Sequence, residues 1–163
     1  MNKDEKDLLL KDIYCRIHYG LIVQQSAQYI EGQRGYGTAD KWQKEPHDFN
    51  IIGIEGNNTL ITDKIKEERT YYKGIVSSPI TICIDDGLTG QSVKPYLRPM
   101  SSMTLEERFE YNGLINYVAD FSFELMSWKV YDWLNKHHFD YRGLIEKGLA
   151  LEAPEGMYNL NNR

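Results

Sequence analysis

Apolar residues recur at helical spacing near the start of the chain. Leu8, Leu9, Ile13 and Ile17 lie close to an i, i+4 stripe. Acidic residues precede the stripe, which suits the positive end of a helix dipole. The pattern predicts a short amphipathic helix from about residue 4 to residue 17, and Gly20 is a natural residue to end it.

A second stripe of apolar residues lies in the C-terminal third of the chain. It consists of Phe123, Met126, Val130 and Trp133, and Leu134 widens it. This spacing predicts a buried helix with Trp133 in the core. Beyond it, apolar residues at Leu144, Ile145, Leu149, Leu151 and Met157 predict an ordered tail that packs back on the domain.

The joint between the two halves of the chain carries the most specific local signal. Pro95 and Pro99 hold the backbone extended, so no helix is expected there. Thr104 and Glu107 then have the spacing of a capping box, which predicts the start of a helix. Gly113 either ends that helix or lies within it as a flaw.

Short β-prone runs separated by turn residues fill the N-terminal half. They cover residues 21–30, 49–54, 59–65, 71–76 and 80–84. The stretch from Gly32 to Pro46, rich in glycine and charge, predicts an exposed loop. The fold class expected is therefore α+β, with a small antiparallel sheet or a barrel-like N-terminal half packed with N-terminal and C-terminal helices.

We expect residues 1–98 to form the short helix and the antiparallel β region. Residues 99–163 are expected to form a helical region with an ordered C-terminal tail. At 163 residues, the chain is long enough for both parts to share one compact domain.

Composition and charge narrow the function classes. A net charge of −5 argues against sequence-independent nucleic-acid binding, which depends on neutralising phosphates with Lys and Arg. No secretory signal and no membrane-length apolar run are present, so a soluble, cytoplasmic protein is expected. In that compartment Cys15 and Cys83 are expected to be reduced and buried.

The candidate catalytic and metal sites are weak. His137, His138 and Asp140 lack the i, i+4 ligand spacing of zinc helices. Cys15 and His18 could meet as nucleophile and base, but a buried, inert thiol is the commoner fate of a helical cysteine. Asp85-Asp86-Gly87 suits a turn, and GQRGYG lacks the ending of a phosphate-binding loop. We expect no catalytic residue, no metal and no cofactor.

Arg34 and Tyr36 lie in the predicted loop and could contact a partner, because binding residues often lie on loops. Tyr96 with Arg98, and Tyr141 with Arg142, are tyrosine–arginine pairs of the kind enriched in binding hot spots. Such pairs also suit a tail clamped to the core by cation–π contacts. The candidates for ligand or partner binding are Arg34, Tyr36, Tyr96, Arg98, Tyr141 and Arg142.

Three blocks of sequence carry a resemblance to a known family. They are LLLKDIYCRIHYG (8–20), VKPYLRPMSSMT (93–104) and DWLNKHHFDYRGLIEKGLALEAPEGMY (132–158), about a third of the chain. They resemble an uncharacterised family of small proteins that recur in phages, prophages and mobile elements of gut bacteria of the Bacteroidetes type. The resemblance implies a phage-related setting, and it implies no reaction and no ligand.

These observations favour an accessory binding protein without catalytic activity that acts through protein–protein interaction. The partner would be a host or phage protein, and a homo-oligomer is possible. One alternative is a protein that sequesters a small nucleotide signal, since that class needs a pocket but no catalytic group. A second alternative is a hydrolase whose site is assembled only in space.

Overall fold

The fold is given by a computed structural model, which describes residues 1–25, 28–33, 39–44, 46–56, 59–67, 77–84, 93–120 and 123–158. The helices are α1 (Lys3–Arg16), α2 (Leu105–Asp120) and α3 (Phe123–Lys136). The strands are β1 (Ile22–Gln25), β2 (Gln28–Gln33), β3 (Ala39–Lys44), β4 (His47–Glu55), β5 (Thr59–Glu67), β6 (Ser77–Cys83), β7 (Val93–Leu97) and β8 (Leu151–Glu152). The predicted α+β class is confirmed.

The main sheet is open and mixed, in the order β6-β5-β4-β1-β7-β8. The first five of these strands pair antiparallel, as predicted, and two-residue β8 adds to β7 in parallel. The barrel-like alternative is wrong, because β6 and β8 end the strand order without pairing to each other. The parallel pair escaped prediction because β8 comes from the distant C-terminal tail.

The predicted exposed loop from Gly32 to Pro46 is partly wrong. β2 and β3 form a separate antiparallel hairpin in which Ile30 faces Trp42 and Gln33 faces Ala39. The glycines and charged residues of this stretch are typical of a loop, but backbone hydrogen bonds can also pair polar segments into a hairpin. The predicted run at 71–76 lies outside the described residues.

Helix α1 has clear start and stop signals. Asn2 accepts a hydrogen bond from the Glu5 backbone N–H at 2.8 Å, and Glu5 Oε2 accepts one from the Asn2 backbone N–H at 2.8 Å. This is a capping box with asparagine as the cap. A short 3₁₀ turn follows, and Gly20 ends it in the left-handed conformation (φ 69°), as predicted.

The main core lies between α1 and one face of the sheet. Leu9 and Ile13 of α1 are buried, and so are the residues they join: Leu21, Val23, Phe49, Ile51, Leu60, Ile82, Ile84, Val93 and Leu97. Leu144, Leu149 and Ala150 of the C-terminal segment complete this cluster. The C-terminal segment therefore packs on the core within its described part, which ends at Tyr158.

Helix α3 ends in a Schellman motif that turns the chain back. His138 adopts a left-handed conformation (φ 57°), the Phe139 N–H bonds to the Leu134 carbonyl at 3.0 Å, and the His138 N–H bonds to the Asn135 carbonyl at 3.1 Å. A left-handed histidine is unusual, and here its buried ring stacks on Tyr158 with 3.7 Å between ring centroids. The motif therefore directs residues 139–158 onto the core.

The capping box at the start of α2 is confirmed. The Glu107 N–H bonds to Thr104 Oγ1 at 3.2 Å, and the Thr104 N–H bonds to Glu107 Oε2 at 2.9 Å. Gly113 does not end the helix, because α2 continues to Asp120. One glycine costs only about 1 kcal/mol in a helix, less than packing can supply.

The prediction that Trp133 lies in the core is only partly right. Leu134 is buried in a second cluster together with Met103 and Phe139, whereas Trp133 is half-buried beside this cluster. Trp133 packs between α2 and the tail, and its indole N–H donates to Glu110 Oε2 at 3.2 Å.

Of the helices in the described ranges, none is long and apolar enough to cross a membrane.

Candidate binding surface

Arg98 is half-buried, and both terminal nitrogens of its guanidinium are engaged by Glu107. Its Nη1 and Nη2 donate to the two carboxylate oxygens of Glu107 at 2.7 and 2.8 Å. Its guanidinium carbon lies 4.3 Å from the Phe139 ring centroid. These contacts tie the residue after β7 to α2 and to the C-terminal tail, so Arg98 has a structural role.

Tyr96 is also held within the fold. Its hydroxyl accepts a hydrogen bond from Gln24 Nε2 at 2.7 Å and donates one to Asp48 Oδ1 at 3.2 Å. Burial, followed by the negative charge of Asp48, raises the pKa of Tyr96. The hydroxyl therefore stays protonated and joins three strands across one face of the sheet.

Tyr141 and Arg142 are brought together at the seam between α1 and the C-terminal segment. Arg142 Nη2 donates to the Tyr141 hydroxyl at 2.7 Å, and that hydroxyl donates to Asn135 Oδ1 at 3.0 Å. Arg142 Nε lies 3.2 Å from Asp12 Oδ1. Burial raises the pKa of Tyr141 against the lowering effect of the Arg142 and Arg16 charges, so the phenol remains a donor.

An aromatic surface adjoins this pair. Trp128 and Tyr131, one turn apart on α3, are 58% and 51% exposed. The Tyr131 ring lies 5.5 Å from the half-buried Tyr141 ring, at an angle of 44°. We call Trp128, Tyr131 and Tyr141 the aromatic surface, with Arg142 at its edge. Aromatic residues and arginine are the types that anchor protein interfaces.

Cys15 lies beside the aromatic surface and is exposed, so the expectation of a buried thiol is wrong for this residue. It falls on the flank of α1, away from the stripe formed by Leu9 and Ile13. Its Sγ lies 3.5 Å from Arg142 Nη2. In the described part of the chain Cys15 makes no hydrogen bond to His18, as a nucleophile and base pair would require. The side chain of Cys83 is not among those that the structure describes.

The adjacent histidines and Asp140 have structural partners. His137 Nδ1 lies 2.8 Å from the Trp133 carbonyl oxygen, and His138 Nε2 lies 2.9 Å from the Tyr19 carbonyl oxygen. Asp140 accepts hydrogen bonds from the N–H groups of Leu144 and Ile145. Within the described ranges, no group of three or more metal-ligating side chains occurs.

Two further surface features were found. Leu105 and Phe109 project from the outer side of α2, 84% and 83% exposed. A pocket of about 220 Å³ lies beside α1, with Leu9 and Leu149 among its apolar lining and Lys94 and Lys147 among its charged residues. It is smaller than the roughly 300–1,000 Å³ typical of ligand sites.

Of the six candidate residues, the structure places Tyr141 and Arg142 together at the aromatic surface. Tyr96 is buried, and the half-buried Arg98 is paired with Glu107. Arg34 and Tyr36 lie outside the described residues. Sequence reasoning missed Trp128 and Tyr131 as binding residues. Their signal was available, because large aromatics one turn apart that fall off the predicted apolar stripe must face solvent or a partner.

Comparisons with protein-family models, with curated proteins and with solved structures returned no match.

Proposed function

We propose that this protein is a phage- or prophage-related accessory protein of the cytoplasm, which acts by binding another protein. The observation that carries the proposal is the aromatic surface, where Trp128 and Tyr131 are more than half exposed. Leaving large aromatic rings in water has a free-energy cost that burial in an interface would recover. The phage-related setting rests on the sequence resemblance alone.

The aromatic surface also has the rigidity that tight binding favours. Tyr141 is fixed by two hydrogen bonds, from Arg142 and to Asn135. Tyr131 rests against Tyr141 and stands on a helix. A tyrosine has only two side-chain torsions, so little conformational entropy is lost when a partner orders it. The surface is therefore suited to a specific contact.

Sequestration of a small nucleotide has less support. The described pocket is small for a nucleotide, and its lining residues include no aromatic ring that could stack on a base. Hydrolysis has less support still, since Cys15 contacts Arg142 and not a general base.

Site-specific photocrosslinking in cells that carry the parent phage or prophage tests the proposal. A photoreactive phenylalanine analogue placed at Tyr131 should form a discrete adduct with a second protein. The matched control is the same analogue at Tyr14, a tyrosine that is 49% exposed on α1. Adducts from neither position, or equal adducts from both, would contradict the proposal. A melting temperature raised by nucleotides in the purified protein would favour sequestration.

A further inference from the structure

We propose that the segment bound by the aromatic surface is acidic: it presents a carboxylate to Arg142 and packs an aromatic or other apolar side chain on Tyr131 and Trp128. This inference rests on the proposed function and adds the chemistry of the partner. It is argued from the charges at the seam between α1 and the C-terminal segment.

One carboxylate at this seam faces two guanidinium groups. Asp12 and Arg16 are fully buried, and Arg16 donates to both oxygens of Asp12, from Nε at 2.7 Å and from Nη2 at 2.9 Å. The Nε of Arg142 also approaches Asp12, at 3.2 Å, but its N–H does not point at the oxygen. Arg16 thus pairs with both oxygens of Asp12, and the two arginines and one aspartate together carry an excess positive charge.

The excess charge is accessible only at Arg142. The Arg16 side chain is completely buried, whereas that of Arg142 is 24% exposed. Arg142 Nη2 is engaged by the Tyr141 hydroxyl and the Cys15 thiol, while Nη1 takes no hydrogen-bond partner from the part of the chain that the structure describes. Nη1 is therefore the atom that we assign to the incoming carboxylate.

The guanidinium is already oriented for this contact. Its carbon lies 4.8 Å from the Tyr141 ring centroid, and its Nη2 bond to the Tyr141 hydroxyl fixes its rotation. An arginine held in place loses little rotamer entropy when it binds a carboxylate, and the charge-assisted hydrogen bond is among the stronger ones. The fixed geometry also places the carboxylate next to the Tyr131–Tyr141 ring pair.

Charge at the other end of the aromatic surface has the same sign. The Lys129 ammonium lies 5.9 Å from the Trp128 ring centroid, on the exposed side of α3. A cation at each end repels a basic segment and attracts an acidic one. The carboxylate of Asp132, which follows Tyr131 on α3, accepts a hydrogen bond from the Tyr19 hydroxyl. Charge complementarity therefore favours an acidic partner segment.

Selection from a displayed library of random peptides against the intact protein tests the inference. We expect enriched peptides with Asp or Glu next to Tyr, Trp or Phe. A synthetic copy of the most enriched peptide should bind at least about tenfold more weakly once its acidic residues are replaced by their amides. Arg142→Gln should weaken binding of the acidic peptide to a similar extent, and the exposed Lys136→Gln should leave it unchanged.

The peptide substitution keeps the test decisive even if Arg142→Gln disturbs the fold, because it uses the unaltered protein. Enrichment of basic or purely apolar peptides, no enrichment, or equal binding of the acidic and amide peptides would overturn the inference. Non-acidic peptides that lose affinity with Trp128→Ala would overturn only the partner's charge and leave the proposed function standing. Arg142→Lys should recover part of the affinity for the acidic peptide, since the charge returns without the planar fork.

Discussion

The buried guanidinium of Arg16 donates a hydrogen bond from Nη2 to the carbonyl oxygen of Phe139 at 2.8 Å. The two residues are 123 positions apart in the chain. Because the same guanidinium is paired with Asp12, this one side chain links α1 to the turn that follows α3. This turn also supports Tyr141 and Arg142, so the edge of the aromatic surface depends on Arg16.

Arg16→Met should therefore lower the free energy of unfolding by about 3–5 kcal/mol, since it leaves the buried Asp12 carboxylate without its main partner. The denaturant midpoint of the purified variant measures the loss. Lys11→Met, at an exposed position of the same helix, is the control and should change stability by less than about 0.5 kcal/mol. Equal midpoints for the two variants would show that the ion pair is not a structural link.

Leu134 should matter more to stability than Trp133. Leu134 is only 2% exposed, so Leu134→Ala should cost about 2–5 kcal/mol through lost burial and the cavity left behind. Trp133 is half-buried, so Trp133→Ala should cost only about 2 kcal/mol, because part of its ring is already exposed to water. Lys136→Ala, at an exposed position, should cost less than about 0.5 kcal/mol. A larger loss for Trp133 than for Leu134 in urea unfolding would contradict the assigned helix faces.

The C-terminal segment should be required for folding. Deleting residues 143–163 removes Leu144, Leu149 and Tyr158, three buried side chains, together with β8. Their burial contributes roughly 5 kcal/mol, which is comparable with the net stability of a domain. The truncated protein should be unfolded or insoluble by circular dichroism and sedimentation. The point variant Leu144→Ala should be folded but less stable. A truncated protein with an unchanged melting temperature would contradict this prediction.

The ion pair between Arg98 and Glu107 should make stability depend on pH in the acidic range. Burial by itself would raise the pKa of Glu107, but the hydrogen bonds from Arg98 and the Thr104 N–H and the charge of Arg98 outweigh it and lower the pKa. The stabilisation is therefore present above the unfolded-state pKa of about 4.3 and is lost as pH falls through the folded value.

Glu107→Gln should accordingly cost about 1 kcal/mol at pH 7, and this difference from the parent protein should shrink below about pH 4. Chemical unfolding of the parent protein and of the Glu107→Gln variant, at pH 7 and below about pH 4, measures this difference. Glu106→Gln, at an exposed neighbouring position, should show no such pH dependence. A constant difference between parent and Glu107→Gln would mean that the charge of Glu107 contributes nothing.

Local signals in the sequence predicted the three helices and strands β1, β4, β5 and β6, but neither the β2–β3 hairpin nor the pairing of β8 with β7. The Thr104–Glu107 capping box and the stop at Gly20 depend on neighbours within a few residues, so both were predictable. The parallel β7–β8 pair and the Arg16–Phe139 bond join the two ends of the chain, and no local pattern specifies them.

In the candidate site, too, the sequence identified residue types but not their contacts. Tyr96 and Arg98 resembled Tyr141 and Arg142 in sequence, since both sets place tyrosine and arginine close together. Only the fold separates them, because Arg98 is paired with Glu107 and the Tyr96 hydroxyl is bonded to Asp48. Trp128 and Tyr131 could have been proposed from their positions off the apolar stripe, whereas their contact with Tyr141 required the fold of the tail.

The most direct test of protein binding through the aromatic surface is the affinity for the protein crosslinked at Tyr131, measured by calorimetry with purified components. We predict that Trp128→Ala and Tyr131→Ala each weaken binding by about tenfold or more, as interface anchors do, and leave the melting temperature nearly unchanged. Tyr14→Ala, which removes an equally exposed tyrosine elsewhere, should bind like the parent protein. Unchanged affinity for the Trp128 and Tyr131 variants would contradict the account. A loss of affinity that occurs only with Tyr14→Ala or only with Phe109→Ala would contradict it as well.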